Sequence, residues 1–446
     1  MLLSAGTEVF VQESISARSS GSHVKKSGEE IPQIWPRFKT DARDLRRGRD
    51  ALRIVPIAAE GLETERVDLG TAEPKRGDDV EAKEMTPMRP ERRARPAALF
   101  EHLDNLHVLQ PEVVEVFRRA GVDLRAVELG VRSAYRTVFR PDGSIQSKHL
   151  APQTQTSWSL IYSTLKAAFG EANYHQAKTS VEIDQDLHAG TVTAQFEDGT
   201  RASGDLLIGA DGGNSTVRQQ FWPSMRPTYA GYLAWRGLLA EDAMPPVARG
   251  ALHGDFGFAN NRGSHILGYL VPGEHNDVRP GYRLYNWVWY RVADERLLAE
   301  IMTDRNGHTR GYAIPEGLLG DKWIAHLHRD AETLLPLPFR QVVEATAQPF
   351  AQAIRDLASD HMVVGRVAII GDAAAIPRPH TAASTSKAAA DALALADKLQ
   401  ASPDDIPAAL ACWELDQVVL GKYLRQQGSR TGDYLLFNRP PIARVG

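Results

Sequence analysis

Sulfur is nearly missing from this chain. Cys412 is its single cysteine, so no disulfide can form within it, and the composition is compatible with a reducing compartment. Long apolar runs are missing too: no stretch approaches the roughly 18 residues of a membrane helix, and no basic-then-apolar leader opens the chain. Neither sign of charge dominates. The net charge is −4, which argues against a nucleic acid or an anionic membrane as partner. No His/Cys/Asp/Glu cluster has metal-ligand spacing, no GxSxG is present, and the 14 histidines form no sequence-local nucleophile pair. Metal-dependent oxygen chemistry and hydrolysis therefore lack their motifs. A GxGxxG turn is absent as well. The composition reads as a soluble, cytoplasmic protein of two or three domains, with 43% apolar residues to build its core.

Two stretches carry the chemistry that is present. The first is Val363 to Ala392, VVGRVAIIGDAAAIPRPHTAASTSKAAADA. Its apolar run Val367 to Ile370 is short enough for a buried strand, and Gly371-Asp372 ends that strand with a carboxylate at its tip. In open α/β sheets that edge is where ligands sit. After a Pro-rich turn (Pro377, Pro379), Ser384-Thr385-Ser386 leads into an alanine-rich helix reaching about Leu399. A helix start of small and hydroxyl residues leaves backbone N–H groups for a negatively polarised ligand atom. The second stretch, Asp205 to Arg218, DLLIGADGGNSTVR, repeats the logic of apolar strand, acid, glycines and helix start. Two such turns predict two strand ends converging on one extended polar ligand.

With these residues in place, the chain resembles the single-component FAD-dependent aromatic hydroxylases. That family carries a DG motif, here Asp211-Gly212 with Ser215 and Arg218, and a later GD motif, here Gly371-Asp372 with Pro379. PTYAGYLAWRGLL (Pro227 to Leu239) and GDAAAIPRPH (Gly371 to His380) resemble the 2,6-dihydroxypyridine 3-monooxygenase type within it. The resemblance runs from about Val108 to about Leu424. It implies a three-layer α/β, Rossmann-like FAD-binding domain with an antiparallel β-sheet substrate domain. It also implies the reaction: NADH or NADPH reduces FAD, O₂ forms a C4a-hydroperoxide, and a hydroxylated aromatic or N-heteroaromatic ring attacks it. A homodimer is compatible with the family.

Site roles follow from the same resemblance. Asp372 is expected to accept hydrogen bonds from the ribityl or pyrophosphate region. Ser384, Thr385, Ser386 and Lys387 should offer backbone N–H groups to the flavin's pyrimidine oxygen, although relatives carry glycine at the first two positions. Lys387 could equally pair with nearby acids and nothing more. Asp211 and Gly212 shape their turn and aid dinucleotide binding; Arg218 shares that role or caps the sheet by salt bridging. Gln110, in the VLQP element, belongs near the flavin. His380, following Pro379 at the flavin edge, is expected to orient or deprotonate substrate, with a structural histidine as the competing reading. Asp356 reads as an acid outside the motifs. No metal site is expected.

Read in order, Met1 to Glu13 is the end of a helix followed by a strand ending in an acid. Residues 1–16 thus read as the remnant of a βαβ unit truncated at its N-terminus. Glu13 is placed for the ribose contact of such a unit, and an ordinary strand with a surface Glu fits the same residues. Residues 17–97 combine dense charges of both signs with scattered prolines and glycines and only short apolar islands such as Leu52 to Ile57. Such a segment cannot bury enough surface to offset its ordering entropy. Residues 98–226 should form the next part of the FAD domain, with helices at Pro111 and from Ser157 to Phe169. Residues 227–350 should form the aromatic sheet, and 351–446 should return to the FAD domain and end in a helix from Pro407 to about Gln427. The missing glycine turn keeps a second reading open, that of a non-catalytic or FAD-deficient remnant of the same fold; a flavin halogenase or plain dehydrogenase lacks a motif of its own. Limited proteolysis tests the segment assignment: cleavage should begin within residues 17–97, and resistance along all of it would contradict the expected irregularity.

Overall fold

The structure, a computed structural model, describes residues 54–58, 106–170 and 173–439. Its organising strand is Leu206–Ala210, buried along its whole length, as a strand covered on both faces must be. It pairs in parallel with Val367–Ile369 on one side and Ile54–Ala58 on the other, and Val363–Val364 completes a four-stranded sheet. Ile54–Ala58 departs from the expected irregularity of residues 17–97. The apolar island adds backbone hydrogen bonds along an otherwise open sheet edge; the remainder of that segment, and Glu13 with it, lies outside the described residues. Helices Ser384–Ala401 and Ile406–Phe437 and the antiparallel meander of residues 180–204 share one apolar core with this sheet, through Leu395, Leu410 and Trp413 and through Ile183 and Val192.

A second, ten-stranded sheet extends beyond residues 227–350. It recruits Val131–Phe139 and Ile145–Ser157 from before that range and Phe350–Ala358 after it. Its centre is Thr228–Ala240, Leu284–Val292, Ser264–Val271 and Asp255–Asn261, paired antiparallel in that order. Period-two alternation divides the aromatics between its faces. Trp235, Trp287 and Trp289 turn to the face covered by helices Asp321–Leu334 and Leu337–Ala345. Tyr232, Tyr269, Tyr290, Phe256 and Phe258 turn to the other, where Leu436 of the last helix packs. Trp287 and Trp289 donate their buried indole N–H groups to Thr346 Oγ1 and Ser264 Oγ, at 2.8 and 2.7 Å. No helix among the described residues is long and apolar enough to cross a membrane.

The last helix runs to Phe437, ten residues beyond the stop expected near Gln427. Gly428 reads locally as a helix terminator, but here it serves close approach. A Cβ on Gly428 would lie 2.8 Å from the Arg378 backbone nitrogen, and one on Gly432 would lie 2.5 Å from the Tyr232 hydroxyl. The glycines let the helix backbone rest directly on the loop after Asp372. Gly428→Ala should therefore destabilise the fold by about 1–3 kcal/mol in denaturant titration, as overpacking does. Gly250→Ala, in a helix with open space around it, should be neutral or stabilising by up to about 1 kcal/mol. Equal effects would contradict the packing role.

Candidate functional site

Parallel pairing of Leu206–Ala210 with Val367–Ile369 sets both acidic turns at one sheet edge, where Ile370 N–H donates to Gly209 O at 3.0 Å. The turns are then joined by Arg218. This buried side chain donates to Ala373 O at 2.9 Å and Gly213 O at 2.6 Å, so it bridges the motifs through carbonyls and not through a salt bridge. Asp211 Oδ2 accepts from Thr216 Oγ1 and Val217 N at 3.0 and 3.1 Å, holding the first turn of the helix Thr216–Phe221. Gly212, at φ +72°, makes the bend between them. On the other side, Asp391 ties the GD turn to its helix. Its Oδ2 accepts from Gly371 N at 2.8 Å and from Lys387 Nζ at 2.5 Å, and Lys387 also donates to Gly371 O. Both charges of this i,i+4 pair are buried. Lys387 thus does pair with an acid, and the acid is the one that anchors the motif glycine.

Asp372 is held more loosely than Asp391, with a hydrogen bond from Ser384 in place of an ion pair. It is buried, and its Oδ1 has no hydrogen-bond partner. Burial pushes its carboxyl up to about 6, against the pull of Lys387, a hydrogen bond from Ser384, and the charges of Arg355 and Arg218. Ser384 begins the helix Ser384–Ala401, with Ala383 at the cap position and no side-chain cap. The N–H groups of a helix's first turn have no partner within the helix, and the dipole there favours negative charge. Gln110 reaches this helix start, donating from Nε2 to Ala382 O at 3.1 Å. Gln110, Asp372 and the Ser384–Lys387 turn therefore gather in one place.

His380 lies on the aromatic face of the large sheet. Its Nε2 is 2.8 Å from the Tyr232 hydroxyl, and its ring stands against Tyr290 with centroids 4.7 Å apart. Arg378 hydrogen-bonds the same phenol and can only donate. The phenol proton is then left for His380 Nε2, and the imidazole's own proton sits on Nδ1, which has no partner. His265 presents the opposite group. Its Nδ1 faces Asn260 Oδ1, an acceptor, so its buried and unpartnered Nε2 carries the lone pair. The two imidazole centroids are 6.0 Å apart. Burial lowers His265 to about 3 and His380 well below its ordinary value, helped in the latter by His265 and Arg378. Both rings are neutral near pH 7, so His380 is suited to orienting a ligand by hydrogen bonding more than to storing its proton.

Asp356 is not a bystander. It accepts from Arg378 Nε at 3.0 and 2.9 Å and from Nη2 at 2.8 Å, while Asp433 takes Nη1 at 2.8 Å. Removing it would leave a buried guanidinium short of charge, a loss on the order of 3 kcal/mol. Tyr232, His265 and Asp391 were not singled out from sequence for the site. Tyr232 and His265 carried a signal, since alternation puts His265 on the face of Tyr269, but which strands adjoin was not legible. Asp391 sits four residues after Lys387, a spacing that pairs charges on any helix.

The Asp372 shift has a testable sign. A carboxyl whose folded-state value is raised from 3.8 to about 6 contributes stability below the unfolded value that is lost as pH rises through 6. In ligand-free protein, Asp372→Asn should exceed the parent by up to about 3 kcal/mol at pH 8 and converge with it near pH 4. Denaturation at both pH values checks this, and a difference independent of pH would contradict it.

A family model described as FAD binding domain-like matches residues 229–356. The 2,6-dihydroxypyridine 3-monooxygenase of Paenarthrobacter nicotinovorans is 34% identical over 314 residues, covering 70% of this chain and 77% of that protein. The FAD-dependent urate hydroxylase of Mycolicibacterium vanbaalenii is 26% identical, with 56% of each chain covered. The solved 2,6-dihydroxypyridine-3-hydroxylase from Arthrobacter nicotinovorans superposes with a TM-score of 0.69 at 32% identity, over 76% of this chain and 85% of that one. Klebsiella pneumoniae HpxO, complexed with FAD and uric acid, shares the fold at a TM-score of 0.60 and 20% identity, over 76% of this chain and 85% of that one. Similarity of this extent to the Paenarthrobacter enzyme, laid over two acidic turns that meet at one sheet edge, settles the family: the chain belongs to the FAD-dependent aromatic monooxygenases.

Proposed function

We propose that this protein hydroxylates a neutral, hydroxylated N-heteroaromatic ring, with FAD as resident cofactor and NADH or NADPH and O₂ as co-substrates. The observation that carries the cofactor reading is Asp372, a buried carboxylate with an orphaned oxygen beside a helix start. A ligand rich in hydroxyl and phosphate groups would meet both: its hydroxyls donate to Asp372, and its electron-rich oxygen faces the first-turn N–H groups. Gln110 would lie at the same helix start, with Arg218 and Asp211 holding the two turns in register. Bound there, FAD supplies the oxygen activation that side chains lack.

The rest falls to the chain's own residues. The neighbouring patch offers His380 Nδ1–H as a donor and His265 Nε2 as an acceptor, both neutral, within aromatic walls. Such a patch suits a flat, uncharged ring with polar substituents better than a carboxylate, and the name of the Paenarthrobacter relative points to the same class. Burial of these groups excludes water from the reacting ring.

FAD titration of the purified protein is the test. Asp372→Ala should lower FAD affinity about ten- to hundred-fold, the equivalent of roughly 1.5–3 kcal/mol for a charge-assisted bond. Asp416→Ala, an exposed acid on the last helix, should leave it unchanged. A parent chain that takes up no flavin, or equal retention by both variants, would favour the non-catalytic remnant instead.

A further inference from the structure

Along the Leu284–Val292 strand, alternation places Asn286, Val288 and Tyr290 on one face, and Val288 and Tyr290 pack with Leu267 and Tyr269. Asn286 stands opposite Tyr269 on one neighbouring strand and Leu238 on the other. Phe256 closes against Tyr269, ring to ring at 4.7 Å. The amide is therefore surrounded by apolar and aromatic side chains. It is fully buried, and neither its Oδ1 nor its Nδ2 has a hydrogen-bond partner among the described residues.

An unmet buried donor or acceptor costs roughly 1–3 kcal/mol, and this side chain carries one of each. Stability margins are only about 5–15 kcal/mol, so a leucine of similar size would serve the fold better. The orphaned amide also has company. Tyr290 pairs with His265, so the unpartnered imidazole atoms lie four residues along the same strands, roughly 13 Å away. Val288 and Leu267, themselves cross-strand partners, form the floor between. One face thus has a polar group at each end and an apolar middle. A single aromatic ring with a hydrogen bond at either edge can bridge that span.

We propose that Asn286 positions the substrate and selects its class. Its amide would pair, donor to acceptor and acceptor to donor, with a ring edge that carries adjacent C=O and N–H groups, as in the lactam form of a 2-hydroxypyridine. A phenol offers that amide a single group and leaves the other amide atom unmatched. A site built to hydrogen-bond two groups discriminates strongly against an analogue lacking one. The assignment rests on the ring-hydroxylase reading above.

The experiment uses the FAD-loaded protein, with 2-pyridone and phenol as probes titrated against the flavin absorbance. The parent should bind 2-pyridone more tightly than phenol. Asn286→Leu should lower that preference by about ten-fold or more, with phenol binding little changed. Its ligand-free melting temperature should equal or exceed the parent's, because the orphaned amide is gone. Asn286→Val removes both polar atoms with less bulk than leucine on a residue type suited to strands, and should lose the 2-pyridone preference while remaining folded; it carries the test if the leucine variant does not fold. A parent that binds both rings with a preference unchanged in the variants overturns the role of Asn286 alone. A flavin-loaded parent that binds neither ring overturns the ring-hydroxylase reading, and this assignment with it.

Discussion

The pairing of Leu206–Ala210 with Val367–Ile369 is the constraint on which the rest depends. Each strand alone is a short apolar run ending in an acid. In parallel register their C-terminal ends coincide, and everything polar at the site follows from that edge. Arg218 then has carbonyls of both turns within reach and locks them together. Asp211 caps the helix Thr216–Phe221, while Asp372 lies beside the start of the helix Ser384–Ala401, where the helix dipole favours negative charge.

Charge in this interior is balanced almost pair by pair. Lys387 is matched by Asp391, and Arg378 by Asp356 and Asp433. Each pair would be costly to bury unmatched. Asp372 is held instead by a hydrogen bond from Ser384 and by the more distant charges of Lys387, Arg355 and Arg218.

The large sheet divides its aromatic side chains by parity. Its tryptophans face the helices and close their N–H bonds on Thr346 and Ser264. Tyr232, Tyr269, Tyr290, Phe256 and Phe258 turn to the opposite face, where the orphaned polar atoms of His265 and His380 collect. The glycines of the last helix complete this side, because only a bare backbone can approach Arg378 and Tyr232 so closely.

Much of this was legible in residue order alone. Apolar runs ending in Asp211 and Asp372 and the helix beginning at Ser157 are local patterns, and local patterns are set by side-chain chemistry over a few residues. The ring family followed from two motifs whose spacing is specific. What residue order could not decide depends on neighbours distant in the chain. Asp356 read as a free acid because Arg378 and Asp433 reach it only through tertiary packing. The last helix read as ending at Gly428 because a glycine stop and a glycine contact look identical until the partner surface is present. Alternation divides the aromatics of the sheet between two faces but does not say which face meets the helices. Sequence determined which residues could form strands, turns and caps. The tertiary structure decided which of their polar atoms would go unmatched, since a hydrogen bond is satisfied or orphaned only by what is packed against it.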